Sequence, residues 1–274
     1  MSRLIALLVL ICGAFPALAQ DTDWLHRPTL EKNPAQDTWH AAHTLGEDAL
    51  YIYTAPARMD RSDFLMTLGW LAATGLVFAL DDELSDMAHR NEENDLLKPL
   101  WEVGDFFEPA GHMGNTNAYY FGGVALGWVT RQDKLSLICA QILEAHFIAG
   151  LGKNAVQAVV NRPRPFQGYE SDKFGVEDAT SFPSGHSINI FQLATILSHH
   201  VNRRGFTWAA YACAGLVGIQ RVRADMHWSS DVLLSAVYGT AVARGVLKLH
   251  EGRQMNVAPH VSQLGVGMQV AWRF

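Results

Sequence analysis

The chain has 274 residues, of which 49% are hydrophobic and 18% are charged, and its formal net charge is -6 at pH 7. A chain of this length and composition can bury one sizeable core, which excludes disorder over most of its length. The acidic balance argues against nucleic-acid binding, because proteins that bind the phosphate backbone normally concentrate a basic excess on one surface.

The amino terminus has the pattern of a cleaved secretory signal. A basic start at Arg3 is followed by a short apolar stretch and by the small-x-small site Ala17-Leu18-Ala19. The alternative is an uncleaved anchor, but the apolar run is short for a membrane span. We therefore expect residues 1–19 to be a signal peptide and the mature, exported chain to begin at Gln20 in the periplasm.

Composition changes near residue 61. Residues 20–60 are polar, contain three prolines and show no sustained period, so they predict an irregular amino-terminal extension. Beyond them, apolar segments rich in helix formers are too long for buried strands, which predicts an all-α domain over residues 61–250. About six core helices are expected, at residues 64–80, 119–129, 135–151, 188–197, 206–219 and 232–246.

Membrane crossing is an open alternative for these helices. A span needs about 20 apolar residues, and only residues 64–80 approach that length without a charge. Other segments carry groups such as Glu144, His200 or Arg244, which are costly inside a bilayer. The pattern favours a globular helical domain that lies against a membrane surface, with an embedded bundle as the alternative.

Residues 264–274 alternate apolar and polar or small side chains with a period of two, which predicts a strand with one apolar face. One strand cannot close a barrel. We expect residues 251–274 to form a short β-like tail or hairpin that packs on the domain or touches lipid.

Three short motifs carry the groups needed to bind a phosphate-like oxyanion. They are Arg162-Pro163-Arg164-Pro165, Pro183-Ser184-Gly185-His186 and Arg221-x5-His227-x3-Asp231. The second motif lies just before a helical pattern, where unsatisfied backbone amides and the positive end of the helix dipole can hold an anion. Ser184, Gly185 and His186 are the candidate anion ligands, and a helix cap at Ser184 with an incidental His186 is the alternative.

His227 and Asp231 are four residues apart, so on a helix they would share one face. The carboxylate could then accept the proton of one ring nitrogen and leave the other nitrogen as a nucleophile. Arg221 could bring a planar donor fork to the same oxyanion.

These motifs, in this order, resemble the signature of the type 2 phosphatidic acid phosphatase and vanadium haloperoxidase superfamily. That signature is Lys-x6-Arg-Pro, Pro-Ser-Gly-His and Ser-Arg-x5-His-x3-Asp, and the likeness covers residues 153–231. The resemblance implies a helical bundle that hydrolyses phosphate esters without a metal or cofactor. It also implies that His227 forms a phosphohistidine, that Asp231 orients His227 and that His186 protonates the leaving oxygen. The phosphoryl oxygens would be held by Arg164, Ser184, Gly185 and Arg221.

The first motif departs from the family pattern, because Gln157 stands where the family has lysine. Gln157 can still donate hydrogen bonds to the substrate, so we expect a pocket with one charge fewer. Lys153 lies one turn earlier, and the lean of helical side chains toward the amino terminus predicts that it points away from the pocket. Arg162 or Arg223 could supply the missing charge, and each could equally be a surface charge.

Three functions are compatible with these residues. The expected one is an acid phosphatase or phosphatidic acid phosphatase-type hydrolase of a phosphomonoester or diphosphate, with a lipid phosphate as substrate if the helices bring it to a membrane. A vanadium-dependent haloperoxidase is an alternative, which the missing lysine opposes. A weakened phosphate-binding member is another, which the intact His186, His227 and Asp231 oppose.

Overall fold

A computed structural model describes the backbone of residues 34–251, 254–262 and 265–273, with the side chains of residues 43–114 and 116–251. The expected signal peptide lies outside these residues. In the described chain, nine α-helices are followed by two strands. The helices are α1 Pro34–Tyr53, α2 Arg61–Phe78, α3 Asp81–Arg90, α4 Lys98–Phe107, α5 Met113–Thr130, α6 Asp133–Val160, α7 Gly185–Val201, α8 Arg204–Arg223 and α9 Ser229–Glu251.

The six helices that the apolar segments predicted are confirmed as α2 and α5 to α9. The all-α fold class is therefore confirmed. Two ten-residue helices, α3 and α4, follow α2 and were not predicted, because each is too short to show a sustained apolar period. A one-turn 3₁₀ helix, Glu108–Gly111, joins α4 to α5.

The expectation of an irregular extension over residues 20–60 is wrong from Pro34 onward, where α1 begins. Thr44, Asp48 and Ala49 are buried, and Leu45 and Ile52 pack against the core. These positions recur at the three- and four-residue spacing of one helix face. Two of the buried side chains, Thr44 and Asp48, are polar, so a prediction based on apolar residues did not detect this helix face.

Helix α7 lies at the centre of the bundle and packs against α6, α8 and α9. Its side chains Ile188, Leu193 and Ile196 are buried, and each such burial contributes about 1.5–3 kcal/mol. Gly239 of α9 meets this helix so closely that a Cβ there would lie 2.5 Å from the Ile188 carbonyl oxygen. Glycine at 239 therefore lets the third turn of α9 lie close against the first turn of α7.

Two buried amides tie α7 to its surroundings. Asn189 donates from Nδ2 to the Gly111 carbonyl over 2.9 Å, and Gln192 donates from Nε2 to the Ala145 carbonyl over 2.8 Å. A Cβ at Gly111 would lie 2.9 Å from the His186 carbonyl oxygen. The 3₁₀ helix that carries Glu108 is thus held directly against the start of α7.

Large apolar side chains are exposed along several helices. On α2 they are Phe64, Leu65, Met66, Leu68, Trp70, Leu71 and Leu76. On α5 and α6 they are Phe121, Leu126, Trp128, Val129, Phe147, Leu151, Val156 and Val159. Soluble proteins rarely expose apolar side chains in such number and continuity, so these faces suit a lipid environment.

By length and composition, two of the described helices could cross a membrane. They are residues Asp133–Gln167, with a mean hydropathy of 1.5, and Ser229–Glu251, with a mean hydropathy of 1.4. A third span is available if α2 and α3, which bend by 64° at their junction, count as one segment. The sequence did not indicate α6 and α9 as candidate membrane spans, because both helices also carry polar residues that the bundle buries.

The carboxy-terminal hairpin consists of β1 Gln254–Ser262 and β2 Gly265–Arg273. The strands pair antiparallel, from Gln254 opposite Arg273 to Ser262 opposite Gly265. β2 covers the alternating stretch that predicted a strand. β2 lies beside α1 and β1 beside α5, so the tail packs on the helical domain.

Candidate active site

The residues of the three motifs meet at one end of the bundle, where α6 ends and α7 and α9 begin. We call the space between Arg164, Gly185, His186, Arg221 and His227 the pocket. Arg164, Arg221 and His186 all act electrostatically on His227. The order of the motifs in the sequence therefore corresponds to a single cluster in space.

Ser184 caps α7, as the alternative interpretation of its motif held. Its Oγ accepts from the Ser187 amide over 3.3 Å, and its own amide donates to Ser235 Oγ over 2.7 Å. Within the described chain, the next two amides, of Gly185 and His186, meet no acceptor in hydrogen-bond range. These two amides, rather than that of Ser184, are free to bind an anion.

His227 lies two residues before α9 begins, so it does not share a helix face with Asp231. Its Nδ1 is 2.7 Å from the Ser181 carbonyl oxygen but 4.0 Å from Asp231 Oδ2, which is too far for a hydrogen bond. The direct bond expected from the spacing is not formed. Nδ1 donates to Ser181 instead, which leaves the lone pair on Nε2.

His227 is 3% exposed. Burial lowers its pKa well below the usual value, and the positive charges of Arg164 and Arg221 lower it further. The imidazole is therefore neutral at neutral pH, which is the state in which a histidine is a nucleophile.

Asp231 positions His227 through other groups. Its Oδ2 accepts from Ser181 Oγ over 2.5 Å and from the Trp228 amide over 3.1 Å. Ser181 carries the carbonyl that holds His227, and Trp228 is the next residue in the chain. Asp231 thus holds both Ser181, whose carbonyl accepts from His227, and the backbone of the residue that follows the histidine.

The sequence suggests Arg162 as a ligand of the substrate, but in the structure its guanidinium binds buried groups of the protein. It is 1% exposed, and its guanidinium donates to Asp231 Oδ1 over 2.6 Å, to Asp81 Oδ2 over 2.8 Å and to Ser230 Oγ over 2.8 Å. Its Nε also donates to the Ser171 carbonyl. Arg162 is therefore a buried clamp on Asp231 rather than a group that faces the substrate.

Arg164 and Arg221 both lie near enough to His227 to act on it electrostatically. Arg164 is partly buried, with Nη1 3.5 Å from Met226 Sδ and Nη2 3.4 Å from Thr180 Oγ1. Arg221 is 5% exposed. The Arg221 guanidinium is therefore largely desolvated and that of Arg164 partly so, which strengthens their attraction for an oxyanion.

Glu108 is a pocket residue that the sequence did not indicate. Its Oε1 accepts from Arg221 Nη1 over 2.6 Å and lies 3.1 Å from His186 Nε2. The contact with the His186 ring lowers the pKa of this carboxyl below its usual value. Glu108 lies 113 residues before Arg221 and belongs to no motif, so no spacing could have identified it.

Gln157 does not occupy the role of the family lysine. Its Nε2 donates to the carbonyl oxygens of Thr180 over 3.0 Å and Pro183 over 3.2 Å. These bonds brace the turn before α7. Arg223 is also directed elsewhere, over the Trp101 ring at 4.8 Å, so neither residue restores the missing charge at the pocket.

Lys153 is the residue that approaches the turn. It lines a cavity of about 180 Å³ together with His112, Gly185 and His186, among other residues. A Cβ at position 185 would lie 3.4 Å from Lys153 Cδ and 3.8 Å from its Nζ. The expectation that Lys153 points away is wrong, because its four-carbon stem is long enough to reverse the lean of the helix.

Comparison with known proteins found similarity over parts of the chain. Residues 135–255 match the model of the PAP2 superfamily. A lipid A 1-phosphatase of Porphyromonas gingivalis is 38% identical over 66 residues, which are 23% of this chain and 15% of that protein. A bacitracin transport permease protein of Bacillus licheniformis is 26% identical over 123 residues, which are 44% of this chain and 60% of that protein. The chain thus spans less than two thirds of the length of these curated relatives.

A solved structure shares the fold. It is the crystal structure of the first transmembrane PAP2 type phosphatidylglycerolphosphate phosphatase from Bacillus subtilis, which is 22% identical and superposes with a TM-score of 0.51. The superposition covers 69% of this chain and 94% of that one. The helical bundle around the motifs is therefore common to the two proteins.

Proposed function

We propose that this protein is a phosphatase that hydrolyses lipid-linked phosphate esters through a phosphohistidine, without a metal ion, because residues 135–255 match the PAP2 superfamily model. One observation carries the proposal. A buried, neutral His227, with Nδ1 bound to the Ser181 carbonyl, lies among Arg164, Arg221 and His186. That set contains a nucleophile, two oxyanion ligands and a proton donor.

In this mechanism the Nε2 lone pair of His227 attacks phosphorus, and the bond from phosphorus to the ester oxygen breaks. His186 gives its proton to that leaving oxygen. Arg164, Arg221 and the amides of Gly185 and His186 bind the phosphoryl oxygens as negative charge builds up on them. Water then attacks the phosphohistidine, His186 takes a proton from that water, and phosphate leaves with His227 restored.

A lipid substrate is favoured by the surface of the bundle. The exposed apolar side chains of α2, α5 and α6 suit a bilayer, and α6 and α9 are long enough to cross one. The pocket lies where α6 ends and α7 and α9 begin, which in an embedded bundle is the level of the lipid headgroups. We therefore place the protein in a membrane, with the pocket on the periplasmic side if the amino terminus is an export signal.

A phosphate-release panel tests this function. We expect the purified mature protein to release phosphate from an aryl phosphate in excess chelator. We also expect release from at least one of lipid A, phosphatidic acid or a prenyl diphosphate, and faster release in detergent micelles or vesicles than in buffer. Vanadate should inhibit as a phosphate mimic. Absence of release from every ester would refute the proposal, and vanadate-dependent halide oxidation by peroxide would favour a haloperoxidase.

Lys153→Met should weaken oxyanion binding. If the ammonium group supplies the charge that Gln157 does not, its loss should raise the vanadate inhibition constant about tenfold, since a hydrogen bond to a charged group contributes about 1.5 kcal/mol or more. Lys248→Met is the matched control, because Lys248 is exposed at the other end of α9. Equal inhibition of the wild type and Lys153→Met would remove Lys153 from the pocket.

A further inference from the structure

Glu108 occupies the point where two donors of the pocket meet. A single oxygen, Oε1, is 2.6 Å from Arg221 Nη1 and 3.1 Å from His186 Nε2. During catalysis Arg221 is expected to bind a phosphoryl oxygen and His186 to protonate the leaving oxygen. The carboxylate oxygen therefore lies where oxygens of the substrate would bind.

The backbone of Glu108 is fixed, while its side chain can move. The 3₁₀ helix Glu108–Gly111 is held against α7 by the Asn189 bond to the Gly111 carbonyl. The Glu108 side chain is 26% exposed, compared with 7% for Arg221. A change of rotamer could therefore withdraw the carboxylate toward solvent without disturbing the core.

Both positively charged groups and one negatively charged group face His186. Arg221 lies on α8, Lys153 lies on α6, and His227 precedes α9. The His112 ring meets the His186 ring edge to face, with centroids 5.4 Å apart. Against these cationic or neutral groups, Glu108 contributes a negative charge in direct contact with the ring.

The groups around His186 act in opposite directions on its pKa. Burial lowers the pKa of His186, and Arg221 and His112 lower it further, while the Glu108 carboxylate, 3.1 Å from Nε2, raises it. Without Glu108, His186 would therefore lose its proton at a lower pH. A proton donor that is already deprotonated cannot assist the leaving group.

We propose that Glu108 is a positioning residue that acts as an internal substitute for the substrate. It holds Arg221 and His186 in place before substrate binds, lies against the His186 ring as a negative charge, and is displaced when a phosphate ester binds. This inference rests on the proposed phosphatase function, because it assigns the proton of His186 to the leaving oxygen. It makes Glu108 a competitor of every oxyanion, including the phosphate product.

Two effects of Glu108→Gln are expected. The basic limb of the pH profile of kcat/KM should move to lower pH by about half a unit or more, because the amide keeps the shape but removes the charge that favours protonated His186. The inhibition constants of vanadate and inorganic phosphate should fall about threefold or more, because the anion no longer displaces a carboxylate from Arg221. An NMR titration of His186 should shift in the same direction as the pH profile.

Two other variants complete the experiment. Glu102→Gln removes an exposed carboxylate from α4 and should change neither the pH profile nor the inhibition constants. Glu108→Asp keeps the charge but withdraws it by one methylene, so it should give intermediate values. Thermal unfolding of each variant shows whether it folds. If Glu108→Gln does not fold, Glu108→Asp tests the inference in its place.

The possible failures are distinguishable. If the wild type hydrolyses a phosphate ester and Glu108→Gln shows the same basic pH limb and the same inhibition constants as the wild type, the inference is overturned. The phosphatase function then stands. A collapse of kcat with an unchanged limb also overturns it, since it would assign Glu108 a direct chemical role. If the wild type hydrolyses no ester, phosphate binding and the NMR titration decide: tighter binding and a lower His186 pKa in Glu108→Gln support the inference, and unchanged values reject it.

Discussion

Replacing His227 by alanine should reduce phosphate release by a factor of about 10⁴ or more, because loss of a nucleophile leaves only the contributions of oxyanion binding. The substitution removes the side chain but keeps the loop, since Asp231 still holds Ser181 and the Trp228 amide. Folding should therefore persist while turnover is lost. Initial rates on an aryl phosphate in the presence of chelator provide the measurement.

The matched control is His199→Ala, which removes an exposed histidine near the carboxy-terminal end of α7, away from the pocket. It should retain wild-type rates. Rapid acid-free quenching of the wild type with a labelled ester should also trap a phosphorylated histidine that His227→Ala lacks. Turnover by His227→Ala within tenfold of the wild type would exclude His227 as the nucleophile.

Replacing Arg162 by methionine should lower the free energy of unfolding by about 3–5 kcal/mol, the usual result of removing one partner from a buried ion pair. The change leaves Asp81 and Asp231, which are both fully buried, without their guanidinium partner. Denaturant or thermal unfolding in detergent measures the loss. Activity should fall in parallel, because Asp231 holds the segment around His227.

Arg203→Met removes an exposed arginine at the start of α8 and should change stability by less than about 0.5 kcal/mol. If Arg162→Met were as stable as this control and still inactive, Arg162 would be a substrate ligand after all. The two variants thus separate the structural role that the contacts support from the binding role that the sequence suggested.

The sequence predicted the main helices and the three motifs because both are local patterns. Apolar periodicity located α2 and α5 to α9, and the spacing of the motifs pointed to His186, His227 and Arg221, which the structure brings close together. Helix α1 was missed because its buried face includes polar residues. The remaining errors concern contacts between segments that are distant along the chain.

Those contacts follow from packing rather than spacing. Arg162 pairs with Asp81, 81 residues away, and His227 bonds to Ser181, 46 residues away. Nothing in the local sequence of Glu108 indicates that the turn after α4 would lie against α7. The direction of Lys153 was predicted from average helix geometry, which a long flexible side chain can override.

The clamp at Arg162 also bears on the order of folding. It joins the start of α3, the segment after α6 and the first turn of α9, so it closes loops of 81 and 69 residues. Contacts at such separation form late, because the entropy of loop closure is lost before they stabilise the chain. During synthesis, α2 to α8 could therefore pack while the segment around His227 was still unordered. His227 would be set in place only after α9 had docked, so the proposed activity would wait until the bundle is nearly complete.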